Sequence, residues 1–240
     1  MLSSLRHKCQ KANQLRRMFG IQAVAQHVIN EVGQRVADFE GTVIVWLDRQ
    51  DLSTPLELPA DTEMRFLTPD EVAIFAQDAA SQIRNDLVSR AFAGTDHCFA
   101  ALIDGRLASY GWYSVASEVP ADDFGLLMSV PAGAAYMHNG FTHPDFRGRR
   151  LHGIGMGRAL HALSDRGINA LFSDVDWANH ASLRSCWRSG YRHLGTLFTF
   201  GRGRLRCAIR PRLAETMNVT FRRIRTDEPS GIALSEMPAQ

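Results

Sequence analysis

The chain has 240 residues, of which 45% are hydrophobic and 22% charged, with a formal net charge of +2. Such a chain can bury a real core and fits one large domain, or one domain with an extension. The charge is too mild to argue for nucleic acid, no apolar run reaches the ~18 residues a membrane span needs, and no Cys/His cluster has zinc-like spacing.

In chain order, Met1–Arg6 lacks a continuous apolar run and does not read as a signal peptide. Isolated cysteines (Cys9, Cys98, Cys186, Cys207) suit a reducing compartment, so the expected location is cytoplasmic. Residues 10–36 read as an amphipathic helix, with Leu15, Met18, Ile21, Ala25, Val28, Val32 and Val36 near helical spacing. Gly41 ends it and Thr42–Leu47 reads as a strand. Asp51–Asp61, with Pro55 and Pro59, reads as a loop. Residues 1–60 are therefore expected to form an N-terminal helix-strand extension that packs on the core or on a second subunit.

Met64–Leu67 is a short strand. Thr68-Pro69-Asp70-Glu71 then carries an N-cap, a first-turn proline and a capping box, predicting a helix to about Arg90, broken in its middle. Asp104-Gly105 between two strand-like runs predicts a type I′ hairpin. Glu118–Asp123 reads as an acidic loop, and Ala134–Thr142 as a strand. Arg147-Gly148 leads into a helix to about Arg166, which Gly167 terminates. Ala170–Val175 is a buried-type strand, Ala181–Ser189 a short helix closed by Gly190, and Leu194–Phe200 a further strand. The arginines at 202, 204, 206, 210 and 212 begin with period-two spacing, as on an edge strand. Residues 227–240 read as a disordered tail after a domain spanning 61–226. This order is an α+β pattern with a parallel junction in its second half.

The informative stretch is Phe141-Thr142-His143-Pro144-Asp145-Phe146-Arg147-Gly148-Arg149-Arg150-Leu151-His152-Gly153. A strand runs out, Pro144 stops its ladder, and a basic turn opens a helix. The free N–H groups and positive end of a helix N-terminus suit a pyrophosphate. Gly148 allows close backbone approach. Gly153-Ile154-Gly155-Met156-Gly157-Arg158 is not a dinucleotide fingerprint, because Arg158 replaces the last glycine and the run lies inside a helix.

Here the sequence resembles the GNAT superfamily, whose donor motif is Arg/Gln-x-x-Gly-x-Gly/Ala after a strand and a Pro-containing turn. Asn179-His180-Ala181-Ser182 followed by Gly190-Tyr191 resembles the second block of that family. The resemblance spans about residues 64–200. It implies a mixed, mostly antiparallel central sheet flanked by helices, and transfer of an acyl group, most simply acetyl, from acetyl-CoA or another acyl-CoA to a small-molecule or peptide amine. It implies no metal, no membrane and no nucleic-acid partner, and leaves a homodimer open. Gly140, Phe141, Thr142, Arg147, Gly148, Arg149, Arg150, Leu151, His152, Gly153 and Asn179 match its cofactor-binding positions. Three registers of the motif are open, starting at Arg147, Arg150 or His152. The 20 residues from Arg147 to Gly167 (167 − 147) favour the first, which puts Arg150 and His152 where the family has glycines.

For catalysis, amine acylation needs a base near neutral pKa, and His138 on the strand before the donor turn is one candidate. The competing reading is a strand histidine facing solvent or satisfied in the core. Glu118, Asp122 and Asp123 offer a second source of base. The family's usual tyrosine acid falls at Cys186, where a buried structural thiol is the competing reading. Tyr113 and Tyr136 are further candidates. A CoA-binding module without turnover and a basic nucleic-acid-binding protein remain alternatives.

Overall fold

The computed structural model describes residues 13, 16–52, 58–121, 125–202 and 205–224, the side chains of Leu205 and Arg206 excepted. Its elements are α1 (Ile21–Ala37), β1 (Glu40–Asp48), β2 (Thr62–Phe66), α2 (Pro69–Ala76), α3 (Asn85–Phe92), β3 (Asp96–Ile103), β4 (Arg106–Ser114), β5 (Glu118–Pro120), β6 (Leu126–Ser129), β7 (Ala134–Thr142), α4 (Leu151–Ser164), β8 (Ala170–Asp176), α5 (His180–Arg188), β9 (Arg192–Arg202), β10 (Leu205–Ile209), α6 (Arg212–Thr216) and β11 (Phe221–Arg223).

Local chemistry sets several boundaries. Thr68 Oγ1 accepts from the Glu71 N–H at 3.3 Å and Glu71 Oε2 accepts from the Thr68 N–H at 2.9 Å, so the capping box forms and α2 starts where expected. The guanidinium of Arg65 also holds Glu71, and together with the Thr68 N–H it lowers that carboxyl to about 2. Asp104 and Gly105 have φ of 49° and 72°, the two left-handed residues of a type I′ turn, and β3 and β4 form the expected hairpin.

Eight strands form one sheet in the order β10-β9-β1-β8-β7-β4-β3-β2. Every neighbouring pair is antiparallel except β7–β8. The strand of the N-terminal extension is woven into this sheet. β1 lies between β8 and β9, and Val43 to Leu47 are all buried, as a continuous apolar run covered on both faces requires. On one face Val43, Val45, Leu47, Met137, Leu171 and Val175 pack with Met156, Ala159, Leu160 and Leu163 of α4. On the other, Ile44, Trp46, Tyr136 and Phe172 pack with Val119, Leu126, Met128, Ala214 and Phe221, contributed by α6 and a small sheet ordered β11-β6-β5.

Three expectations change. The first helix is interrupted at Gly20 (φ 86°), with residues 16–19 helical before it. Its apolar stripe does not face the core: Ala23 and Asn30 are buried, while Ile21, Val28, Val32 and Val36 are more than half exposed. The acidic loop opens as a strand, β5 (Glu118–Pro120), whose Glu118 is held by Arg222 with Nε at 2.6 Å. Glu118 is therefore committed to a partner; Asp122 and Asp123 lie outside the described residues, as does the expected tail. β10 is an edge strand, but the arginine run is not one strand face: Arg202 ends β9, Arg206 lies in β10 and Arg212 begins α6, while Arg204 lies outside the described residues.

Candidate functional site

The strand β7 ends at Thr142 and a 3-10 turn, Pro144–Phe146, follows. His143 caps this turn by accepting the Asp145 N–H at its Nδ1. Gly148 (φ 84°) and Arg150 (φ 60°) both take left-handed backbone, and α4 begins at Leu151. Arg150 thus occupies, with a side chain, the kind of conformation that favours glycine. No side chain caps α4, so the N–H groups of Leu151, His152 and Gly153 have no intrahelical partner.

A cavity of about 1160 Å³ opens in front of that helix end, between α4 and α5. Gly140, Phe141, Thr142, Arg147, Gly148, Arg150, Leu151, His152 and Gly153 line it. So do Arg158, His161, Ser182, Arg184, Ser185 and Arg188. Among the described residues, five arginines and no carboxylate line the cavity, and the buried Nε of Arg158 has no hydrogen-bond partner. A concave site of this charge fits a polyanion.

Gly140 and His152 meet within it. A Cβ on Gly140 would lie 2.2 Å from His152 Cε1, so the imidazole rests against the glycine backbone. Burial pushes the His152 pKa below its ordinary value. In α4, a Cβ on Gly157 would come 3.3 Å from Leu52, whereas Gly155 has open space around it. Close packing therefore accounts for the first of these glycines and not the second.

Two expected donor residues stand apart. Arg149 turns toward Asp61 (3.8 Å) and the Phe146 ring. The Asn179 side-chain oxygen caps α5 by accepting the Ser182 N–H at 3.1 Å, and Asn179 does not line the cavity. Cys186 does not line it either. Its thiol is buried in the core with Met156 and Tyr191, and burial pushes its pKa up to about 11. Arg158, His161, Arg184 and Arg188 were not anticipated. Arg150, Ile154 and Arg158 recur every four residues, the one sequence signal that could have found Arg158.

Toward the end of β7 the sheet opens. β7 and β8 pair in parallel at Ala134–Ala170, Ala135–Leu171 and Tyr136–Phe172, then part, although both strands continue. Ser173 Oγ reaches across and donates to the Met137 carbonyl at 2.5 Å. A parallel pair that parts beside an uncapped helix N-terminus, within an otherwise antiparallel sheet, decides the architecture.

The fold is GNAT-like.

Solved structures resemble the chain over part of its length. A protein named as a GNAT-family acetyltransferase, from Novosphingobium aromaticivorans, is 16% identical over 69% of this chain and 66% of its own, with a TM-score of 0.49. An N-acetyltransferase of this kind from Kribbella flavida is 16% identical over 68% and 61%, with a TM-score of 0.46. An N-acetyltransferase-like protein from Streptococcus suis is 18% identical over 73% and 66%, with a TM-score of 0.49. The matched region spans just under two thirds of those chains. No protein-family model and no curated protein matches the sequence.

On the sheet face opposite α4, a second polar group gathers at the GNAT-like opening. His138 Nε2 lies 3.0 Å from the Asp96 carboxylate, and Arg90 Nε lies 2.9 Å from the same oxygen. Asn139 Nδ2 is 2.9 Å from His138 Nδ1. The His138 ring stacks on Tyr136, whose hydroxyl donates to Asp174. His138 and Asp174 each stand two residues beyond the last paired residues of their strands. Burial raises the Asp174 pKa, partly opposed by the Tyr136 bond, while burial and the Asp174 charge raise that of Tyr136. For Asp96, burial works upward, but the His138 bond and the charges of His138 and Arg90 outweigh it, and the pKa is lowered. Among these residues, only His138 and Tyr136 were candidates from sequence. No helix among the described residues is long and apolar enough to cross a membrane.

Proposed function

We propose that this protein is an acyl-CoA-dependent N-acyltransferase, moving most simply an acetyl group from acetyl-CoA to a primary amine by direct attack. The observation that carries this reading is the arginine-lined cavity at the α4 N-terminus, walled by Gly140–Thr142 at the end of β7, the strand that parts from β8. The orphaned Arg158 Nε, the free N–H groups of Leu151–Gly153 and the left-handed Arg150 suit a diphosphate, so the residues present fit the co-substrate.

Acyl-CoA supplies an activated thioester carbonyl. Leu151, His152 and Gly153 would hold the diphosphate through backbone N–H groups, with Arg147, Arg150 and Arg158 neutralising charge. Gly140, Phe141 and Thr142 would guide the pantetheine toward the gap between the strands. Asp96, kept ionised by Arg90, holds the Nε2–H of His138 and so fixes the tautomer whose lone pair lies on Nδ1. His138 Nδ1 then serves as the base for the incoming ammonium once the exposed Asn139 amide moves aside. The C–N bond forms as the C–S bond breaks, with its electron pair leaving on sulfur.

A second reading, a CoA-holding module without turnover, rests on one observation: both His138 ring nitrogens are already engaged. Release of free CoA thiol, followed over a broad panel of amines, separates the two. Amine-dependent release supports the enzyme. Binding without release on any amine supports the module.

A further inference from the structure

The helix α1 packs on its own domain the wrong way round for a surface helix. Its inward face is small and polar: Ala23 and Asn30 are buried, and Asn30 accepts from Trp177 Nε1. Its apolar face looks outward. Ile21 is 67% exposed, Val28 53%, Ile29 51%, Val32 52% and Val36 64%, with Met18 at 51% just before the helix. At 100° per residue, Ile21, Ala25, Val28 and Val32 form one stripe, flanked by Ile29 and Val36, opposite Ala23 and Asn30. These exposed side chains present on the order of 600 Å² of apolar surface, at the top of the range for an ordinary monomer's largest patch.

We propose that this face is the interface of a homodimer, closed by α1 of a second copy running antiparallel. Steps of four, three and four residues from Ile21 to Val32 make the seam by which two helices interdigitate. The stripe is also complementary to itself. About a dyad at Val28–Ile29, Ile21 faces Val36 of the second copy, and the small Ala25 faces its Val32. Charge selects the direction. The antiparallel sense brings the exposed Arg16 and Arg17 toward the Asp38–Glu40 end of the second copy, whereas the parallel sense sets like charges together. The area also suffices: about 600 Å² of apolar surface from each copy is most of the ~800 Å² that each partner gives to a standard interface. The cavity lining includes no residue of α1, so the dimer leaves the proposed donor site open and does not depend on that reading.

The test is sedimentation equilibrium of the full chain from about 1 to 100 μM. The wild type is expected to sediment as a dimer. Val28→Glu with Val32→Glu is expected to halve the mass while melting temperature and far-UV spectrum stay unchanged. Ile21→Gln with Val36→Gln, a milder pair, is expected to weaken the dimer at least about tenfold. A wild type that stays monomeric at the highest concentration overturns the proposal, whether another protein or a lipid surface covers the face instead. A folded Val28→Glu, Val32→Glu protein that remains dimeric overturns it equally.

Discussion

The imidazole of His152 lies against the backbone of Gly140, joining the first turn of α4 to the end of β7. A Cβ at position 140 would come 2.2 Å from the ring. Gly140→Ala should therefore cost roughly 1–3 kcal/mol in urea unfolding, as overpacking does. Adding His152→Ala should recover most of that loss. Two substitutions whose costs simply add would show that the ring and the glycine do not share space.

The same histidine gives stability a pH dependence. Burial holds its folded pKa below the ordinary 6.5. A depressed histidine contributes stability that is present above the unfolded pKa. That stability is lost as pH falls below it, because the unfolded chain takes up the proton first. Denaturant titrations from about pH 8 to pH 5 should show the wild type losing stability faster than His152→Asn.

Arg150 should separate stability from binding. It pays about 1 kcal/mol for its left-handed backbone. Arg150→Gly is expected to stabilise the fold by about that amount while weakening acetyl-CoA several-fold. Arg158→Met, which removes the orphaned Nε with its guanidinium charge, should weaken acetyl-CoA about tenfold, measured by calorimetry.

Much of the fold was legible because local chemistry writes it. Thr68-Pro69-Asp70-Glu71 specifies its own helix start, and Asp104-Gly105 its own hairpin. The turn before α4 was legible as a strand, a proline and a basic helix start. What stayed hidden depends on long-range pairing. Nothing near Val43–Leu47 says that this strand slots between β8 and β9. Asp96 and His138 are 42 residues apart and meet only because β3, β4 and β7 align. The outward face of α1 misled because periodicity reports amphipathicity without saying which way the helix turns. Asn179 and Cys186 were assigned by motif position, and nothing local in the sequence shows that the first caps α5 while the second is buried in the core.

On the opposite face, Asp96→Asn and His138→Gln should each lower the acylation rate about 100-fold, with acetyl-CoA affinity within twofold of wild type. Asp96 also carries an acid signature. Its folded pKa lies below the ordinary 3.8, so its contribution to stability is present above that value and lost as pH falls through the folded one. The stability gap between wild type and Asp96→Asn should therefore narrow as pH falls below the ordinary carboxylate value of 3.8.

The central claim is that the arginine-lined cavity holds an acyl-CoA. Calorimetric titration of the purified, folded chain with acetyl-CoA tests it most directly, with Arg158→Met as the control. Saturable binding at one site per chain is expected, weakened by rising salt and by the substitution. Heat at the level of dilution, in a protein that melts cooperatively, would contradict it.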